Sequence, residues 1–118
     1  MGPSADNSQV VRYDVDLETG RVWWSDELYA LFGYERSEPA QNIEWWAAHI
    51  HADDAMVVNE AIGGLVHPWT KEWTIEYRFK RADNSYVLVR DHATVGRGPA
   101  GNPIHLTGII WPEPAVKQ

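Results

Sequence analysis

Apolar and polar side chains alternate along two parts of the chain, and a period of two residues predicts β-strands. From Glu72 to Lys80 the apolar side chains fall on one face and the polar ones on the other. A turn at Asp83-Asn84 follows, because asparagine tolerates the left-handed backbone conformation, and a second alternating strand runs from Tyr86 to Val95. The pattern predicts an antiparallel hairpin with one buried and one exposed face.

A second predicted hairpin opens the chain. A strand from Val10 to Asp16 alternates in the same way and connects through Gly20 to a strand from Arg21 to Trp24. Gly20 can adopt the positive φ that a tight turn often needs. A last apolar strand is predicted from Ile104 to Ile110, after a loop at 96–103 that is rich in glycine and proline. The pattern therefore predicts five strands.

Between the two hairpins, apolar residues recur at helical spacing. The first short helix is expected to begin after Ser25, whose hydroxyl can cap its first turn, and to end at Gly33 in a left-handed C-cap. A turn at residues 37–39 precedes a second short helix, from Ile43 to Ala48.

A longer helix is predicted after Asp53-Asp54, whose negative charges suit the positive end of a helix dipole. Val58, Ile62 and Leu65 recur on one face of this helix and are expected to be buried. The predicted order is two strands, then short helices, then three further strands. This order predicts an α+β fold, a five-stranded antiparallel sheet with short helices covering one face.

The amino-acid composition limits the classes of function that the chain can have. With 10 basic and 17 acidic residues the net charge is -7, which opposes binding to phosphate backbones, so we expect no nucleic-acid partner. The chain has no cysteine, which excludes disulfides, thiolate metal sites and cysteine nucleophiles. No apolar run approaches the roughly 20 residues that cross a bilayer, and we expect a cytoplasmic domain with no membrane contact through this segment.

The domain is expected to occupy residues 10–111. Residues 1–9 are small and polar and are interpreted as a flexible tail or an expression remnant, and residues 112–118 as a C-terminal linker. Pro112 and Pro114 bias the residues before them toward extended geometry. We therefore expect the chain to leave the last strand in an extended conformation, without a helix starting at Trp111.

Four blocks of sequence resemble PAS sensor domains, in the subclass common in bacterial sensor histidine kinases and diguanylate cyclases. These blocks are Leu17 to Tyr34; Trp46 to Asp54, similar to "W…IHPDD"; Glu76 to Phe79 with Asp83 to Tyr86, similar to "EYR…DGSY"; and Gly101 to Gly108, similar to the last strand. Their order and spacing agree over roughly residues 10 to 110. The chain departs from the family at Ala52, at Asn84, and at Trp111 to Pro114, where the family shows Asp-Ile-Thr.

The resemblance implies a noncatalytic sensory module. Such a module senses a small ligand or a partner and relays the signal to an effector domain of the same parent chain, such as a histidine kinase or a cyclic-dinucleotide enzyme. It also implies that the first and last strands are adjacent at the sheet centre. The main alternative is a purely structural dimerisation module with a filled core.

The resemblance also bears on cofactors. Flavin photosensors of this family need a cysteine that attacks the flavin ring, and the chain has none. Haem-binding relatives place an axial histidine within the long helix, whereas no histidine lies between Met56 and Ile62. No cofactor is therefore expected.

His49, His51 and Asp53 have the His-x-His-x-Asp spacing of a metal site and resemble the first motif of metallo-β-lactamase hydrolases. That family continues with a histidine where this chain has Asp54, and its members are far longer. We expect instead that His51 caps a helix. A small metal-dependent hydrolase remains the third hypothesis, and we expect no metal site and no catalytic residue.

Seven tryptophans in 118 residues can fill a core or line a small apolar pocket. Asp91 is expected to point inward, where it needs a hydrogen-bond donor such as a tyrosine or tryptophan. The candidate ligand pocket comprises Trp46, Ile62, Trp73, Ile75, Tyr77, Phe79, Val89, Asp91 and Leu106.

The outer face of the sheet carries a mixed patch of apolar and charged residues. Family members commonly pair through this face or through flanking helices. A homodimer through this face is expected, and the alternative is an ordinary solvated surface. The candidate dimer face comprises Leu88, Arg90, Thr107 and Ile109.

Overall fold

The computed structural model describes residues 10–36 and 41–113. The strands are β1 (Val11–Asp16), β2 (Val22–Trp24), β3 (Glu72–Lys80), β4 (Tyr86–Arg97) and β5 (Pro103–Pro112), and the helices are α1 (Glu27–Phe32), α2 (Ile43–Ala48) and α3 (Ala55–Gly63). Single 3-10 turns, Ala52–Asp54 and Gly64–Val66, flank α3. The predicted turn at 37–39, the tail 1–9 and residues 114–118 of the linker lie outside the described residues. Among the residues described, no helix is both long and apolar enough to span a membrane.

All five strands form one antiparallel sheet in the order β2-β1-β5-β4-β3. The α+β prediction and the adjacency of the first and last strands are confirmed. Tyr13 of β1 lies opposite Gly108 of β5, and Gly108 lies opposite Ala93 of β4. Ala93 in turn lies opposite Trp73 of β3, so these four residues form one row across the sheet.

Alternate residues of β1, β3, β4 and β5 face the helices and form the core. Tyr77 and Phe79 are each 1% exposed, whereas their outward neighbour Arg78 is half-buried. The helices add Leu28, Phe32, Trp46 and Val58 to the same core. The faces predicted from the alternation are therefore confirmed.

The predicted turn conformations are also confirmed. Gly20 and Gly33 have φ values of 81° and 86°, and Asn84 has a φ of 73°. The helix cap predicted at Ser25 is wrong. Its hydroxyl accepts a hydrogen bond from the Arg12 backbone N–H at 2.9 Å, because β2 ends at Trp24 and the backbone of β1 still needs a partner there.

Asp54 joins the start of α3 to the edge strand β3. Its carboxylate accepts hydrogen bonds from Arg78 Nε and Nη2, both at 3.0 Å, and from the Arg78 backbone N–H at 2.8 Å. These bonds to Arg78 lower the pKa of Asp54. Ile62 is an exception to the predicted buried face of α3: it is 38% exposed, because it lies one residue before the end of the helix.

Arg97 holds the segment between α3 and β3. Its Nη2 donates to the backbone carbonyls of Leu65, His67 and Thr70 at 3.1, 2.9 and 2.8 Å. One side chain at the end of β4 therefore fixes the loop that packs over the end of the sheet.

The chain leaves the domain in an extended conformation. β5 continues through Pro112, with Trp111 opposite Arg90, and the Glu113 N–H donates to the Leu88 carbonyl at 2.9 Å. The predicted absence of a helix at Trp111 is confirmed as far as Glu113; Pro114 lies outside the described residues.

Candidate functional site

A buried hydrogen-bond network lies on the inner face of the sheet. Asp91 of β4 is 1% exposed and accepts hydrogen bonds from the hydroxyls of Tyr13 and Tyr77 at 2.6 and 2.7 Å. The Trp46 indole N–H of α2 donates to the Tyr77 hydroxyl at 3.0 Å. Asp91 therefore points inward with tyrosine partners, as predicted, and the network joins β1, β3, β4 and α2.

The absence of a side chain at Gly108 lets Tyr13 reach Asp91. Tyr13 lies on β1 and Asp91 on β4, with β5 between them. A Cβ atom at position 108 would lie 2.4 Å from both Cζ and Oη of Tyr13 and 2.7 Å from the His92 carbonyl oxygen. The Tyr13 ring therefore occupies the space that a larger residue would fill.

Burial dominates the electrostatics of this network. It raises the pKa of Asp91 to about 6, against the opposing effect of hydrogen bonds from Tyr13 and Tyr77. Burial and the adjacent Asp91 carboxylate raise the pKa values of Tyr13 and Tyr77 well above their ordinary value. Both tyrosines therefore stay protonated and act as donors.

We expect the raised pKa of Asp91 to make the protein less stable as the pH rises from 4 to 6. Below this range the carboxyl is protonated in both the folded and the unfolded chain; within it, the unfolded chain loses the proton first, which favours unfolding. A pKa raised to about 6 corresponds to a loss of about 3 kcal/mol. Denaturant titrations at several pH values measure this loss in the free energy of unfolding.

The Asp91→Asn variant is the control for this pH dependence, because it lacks the titrating group and retains the other carboxylates. The difference in unfolding free energy between the two proteins should shift in favour of the variant as the pH rises. A difference that is constant between pH 4 and pH 6 would show that Asp91 titrates normally.

An apolar cavity of about 40 Å³ lies beside this network, between the inner face of the sheet and the helices. It exceeds the roughly 10–15 Å³ that a single water needs. Its lining consists of Tyr13, Val15, Leu17, Val22, Trp24, Ile43, Trp46, Ile62, Leu65, Trp73 and Leu106. Tyr13 and Trp46 belong to both the cavity wall and the hydrogen-bond network.

The structure brings part of the predicted pocket together. Trp46, Ile62, Trp73 and Leu106 line the cavity, whereas Ile75, Tyr77, Phe79, Val89 and Asp91 do not. Tyr77 and Asp91 lie behind the wall and hydrogen-bond to the lining residues Trp46 and Tyr13. Sequence reasoning missed the contribution of β1 and β2; the inward alternation of Tyr13 and Val15 was the signal that could have indicated it.

The other end of the core is an aromatic cluster around Phe79. The Trp45 and His49 rings stack with centroids 4.0 Å apart, and Phe32 packs against Phe79 at 5.3 Å. His49 Nδ1 also hydrogen-bonds the Trp45 carbonyl at 2.7 Å. His49 is therefore a half-buried residue that packs within this aromatic cluster.

The histidine and aspartate motif has structural roles. His51 caps the turn before α3 by accepting a hydrogen bond from the Asp53 N–H at 3.1 Å, as predicted. Asp54 is paired with Arg78. Within residues 10–36 and 41–113, no three histidine or carboxylate side chains are grouped to hold a metal ion, so the geometry does not support the hydrolase hypothesis.

The cavity does not fit a haem. Haem iron needs a histidine, cysteine, methionine or tyrosine ligand, and among these types the lining offers only Tyr13. The Tyr13 hydroxyl donates to Asp91 and its pKa is raised by burial, so it is a poor anionic ligand.

The four residues of the candidate dimer face lie on the outer face of the sheet. Leu88 is 44% exposed and Ile109 is half-buried. Arg90 forms ion pairs with Glu76 at 3.0 Å and with Glu113 at 3.2 Å, and Thr107 is exposed. The face therefore combines apolar patches with paired charges.

Comparisons with known proteins agree with this architecture. A family model described as "PAS fold" matches residues 21–110. Sensor protein FixL of Bradyrhizobium diazoefficiens is 28% identical over 106 residues, which cover 90% of this chain and 21% of that protein. The chain thus spans about a fifth of the length of this curated relative.

Solved structures show the same fold. The N-terminal domain of a Marinobacter aquaeolei diguanylate cyclase with PAS/PAC sensor superimposes with a TM-score of 0.77 at 23% identity, covering 87% of this chain and 94% of that one. A sensory box histidine kinase/response regulator of Burkholderia thailandensis has a TM-score of 0.77 at 21% identity, covering 92% and 80%. Because the family model matches most of the described sheet and helices, the chain belongs to the PAS-fold family.

Proposed function

We propose that this chain is a noncatalytic sensory module that binds a small molecule in its apolar cavity and relays binding to an effector domain of a larger protein. The observation that carries the proposal is that Tyr13 and Trp46 line the cavity and also hydrogen-bond to the Asp91 and Tyr77 network. A molecule that displaces Tyr13 breaks a hydrogen bond to the buried Asp91 carboxylate, and one that displaces Trp46 breaks a hydrogen bond to the Tyr77 hydroxyl. Either change within a buried network is energetically costly.

The relay is proposed to run through β5. Tyr13 packs directly over Gly108, and β5 leads from Gly108 to Trp111 and the exit of the domain. The relatives described above are named as a sensor protein, a diguanylate cyclase and a histidine kinase, so the effector is proposed to be of the kinase or cyclase type in a cytoplasmic protein. Pro112 interrupts direct helical coupling, so the proposed linkage to the effector is looser than a continuous helix would give.

Xenon pressurisation tests whether the cavity binds an apolar guest. We expect the methyl resonances of Val22, Ile43 and Leu106 to shift with xenon pressure in two-dimensional NMR spectra, because these side chains line the cavity. The control variant Val22→Phe places extra volume in the cavity and should abolish the shifts. Unshifted methyl resonances in the wild-type protein would contradict the ligand-binding proposal and favour a dimerisation module with a filled core.

Self-association through the outer face is the second proposal, with a second copy of the chain as partner. It is supported by the exposed Leu88 and by the 59% exposure of Trp23 beside a groove of about 390 Å³. The groove is lined by Arg12, Tyr13, Asp14, Trp23, His92, Thr94, Thr107, Gly108 and Ile109.

We expect Ile109→Glu to weaken dimerisation, because it introduces an unpaired charge into the proposed interface. Sedimentation over micromolar concentrations should show a dimer for the wild-type protein and a monomer for this variant. Asn59→Glu, which adds the same charge on the exposed side of α3, is the matched control. If the wild-type protein stays monomeric at every concentration, the proposal is wrong and the outer face is a solvated surface.

The ligand is proposed to be a neutral small molecule, and no flavin or haem cofactor is proposed. The cavity lining has no charged side chain, and an ion would lose its hydration there without compensation. The net charge of -7 makes nucleic acid an unfavourable partner.

A further inference from the structure

β3 is an edge strand, and only one part of its outer edge is covered. It pairs with β4 on one side, and no other described strand of the sheet lies on its other side. The segment after α2 covers the C-terminal part: Ile50 forms an antiparallel bridge with Phe79, and the His51 N–H donates to the Arg78 carbonyl at 2.9 Å. The Asp54 carboxylate then accepts the Arg78 N–H. The chain continues as a 3-10 turn and α3, so this cover ends at Arg78.

The rest of this edge, residues 72–76, is called the open edge. The backbone groups of Arg78 point outward, whereas the Lys71 carbonyl accepts a hydrogen bond from Val95 at the end of β4. Because the backbone groups of an antiparallel strand alternate between its two sides, every second residue of the open edge presents an N–H and a carbonyl outward. Among the residues that the structure describes, none bonds to these outward backbone groups. The residues that present them are Glu72, Thr74 and Glu76.

The burial of the inward side chains changes where the cover ends. Tyr77 and Phe79, beside the covered part, are each 1% exposed, whereas Trp73 and Ile75 on the same face are only half-buried. A further strand would extend the inner face of the sheet over both side chains. The open edge contains no proline, and its register with β4 is regular. Two of the devices by which proteins prevent edge pairing, proline and a bulge, are thus not used there.

The charges on the open edge determine which strand could pair with it. The side chains of Glu72 and Glu76 are exposed on the outer face. Glu76 and Glu113 share the guanidinium of Arg90, at 3.0 and 3.2 Å, so two carboxylates face one positive charge. Glu72 lies 3.3 Å from His92, which is charged only when protonated. The surplus of negative charge favours a partner strand with basic residues.

A second copy of the chain is a poor occupant of the open edge. Antiparallel pairing of two open edges about Thr74 would place Glu72 opposite Glu76 twice, and like charges directly opposite each other are destabilising. We propose that the open edge binds an extended segment of a partner protein as a sixth, antiparallel strand, with lysine or arginine opposite both glutamates. The intervening residues of this segment are apolar and pack beside Trp73 and Ile75. The site is separate from the cavity and does not depend on the proposed ligand.

The capped peptide acetyl-Lys-Val-Thr-Val-Lys-amide is the probe for this site. It places lysine opposite both glutamates of the open edge and valine on the inner side, and the caps remove the terminal charges. In the proposed register the lysine and threonine amides face the edge and the valine amides face away. Two further peptides carry N-methyl groups, one at the lysine and threonine amides and the other at the valine amides. The side-chain charges are the same in all three.

In the wild-type protein, the unmethylated peptide at millimolar concentrations should shift the amide resonances of Glu72, Thr74 and Glu76 and slow their hydrogen exchange. The amides of Trp73 and Ile75 face β4 and should keep their exchange rates. Methylation at the lysine and threonine amides should weaken binding about tenfold or more, because several backbone hydrogen bonds are lost. Methylation at the valine amides should leave the affinity unchanged.

The charge preference is tested with a double variant of the protein, Glu72→Gln with Glu76→Gln. Its affinity for the unmethylated peptide should fall about three- to tenfold, because two exposed ion pairs are lost, and the difference should shrink as salt is added. Glu60→Gln, at an exposed glutamate of α3, is the matched control and should bind as the wild-type protein does. An equal affinity in the double variant would show that the edge does not select a basic strand.

Three results with the wild-type protein would overturn the inference. If the two methylated peptides bind equally, the peptide is held by its charge and no strand is added. If millimolar peptide shifts no resonance of the open edge, the edge does not bind such a segment. If the Thr74 amide becomes protected as the concentration of the peptide-free protein rises, a second copy is the occupant. None of these results bears on the cavity, which the xenon measurement tests separately.

Discussion

Phe79→Ala is expected to lower the free energy of unfolding by about 3 to 5 kcal/mol, the usual range for removing a large buried aromatic side chain. Phe79 is 1% exposed, and its ring packs against those of Phe32, His49 and Trp45 at centroid distances of 5.3, 5.9 and 6.1 Å. Alanine would leave a void in this cluster. Domains of this kind are stable by only about 5–15 kcal/mol, so the expected loss is a large part of the total free energy of unfolding.

The neighbouring residue supplies the control. Lys80 points to the outer face of β3, and its backbone carbonyl, which accepts a hydrogen bond from the Tyr34 hydroxyl at 2.5 Å, is retained in Lys80→Ala. This variant should lose less than about 1 kcal/mol, as surface substitutions usually do. Urea denaturation of both variants is the measurement. Equal midpoints would mean that the inward and outward faces of β3 are exchanged.

Gly108→Ala is expected to destabilise the protein by about 3 kcal/mol or more, at the upper end of the range for overpacked cores. The added methyl group would meet the Tyr13 ring at 2.4 Å and the His92 carbonyl oxygen at 2.7 Å. The backbone oxygen cannot move without disturbing the β4–β5 pairing, so Tyr13 must shift and lose its bond to Asp91. A buried carboxylate then loses one of its two donors, which adds to the cost.

Gly63→Ala is the matched control for this substitution. Gly63 has a helical φ of −60° and no atom within 4 Å of an added Cβ, so alanine should be neutral or slightly stabilising there. A double-mutant cycle with Tyr13→Ala isolates the contribution of the ring, because Gly108→Ala should cost less once the ring is absent, while the contact of the new methyl group with the His92 carbonyl oxygen remains. Equal midpoints for Gly108→Ala and Gly63→Ala would contradict the close contact between the two strands.

Local patterns predicted most of the fold. The alternation in β1, β3 and β4 determined which side chains are buried, because successive residues of a strand face opposite sides of a sheet. Gly20, Gly33 and Asn84 marked backbone positions with positive φ, because few residues adopt that conformation easily. The same alternation predicted that Asp91 points inward, where it needs a tyrosine or tryptophan as hydrogen-bond donor. In the structure its donors are Tyr13 and Tyr77.

Only the tertiary structure decided which residues meet. Tyr13 and Asp91 are 78 residues apart in sequence, and their contact depends on the strand order and on the missing side chain at Gly108. Ser25 has the residue type of a helix cap, but the backbone of β1 uses its hydroxyl. The cavity arises where side chains from both hairpins and two helices leave a gap. Periodicity within one segment sets the face of each side chain, whereas a void between segments depends on the shapes of all the side chains around it, and those come together only in the folded chain.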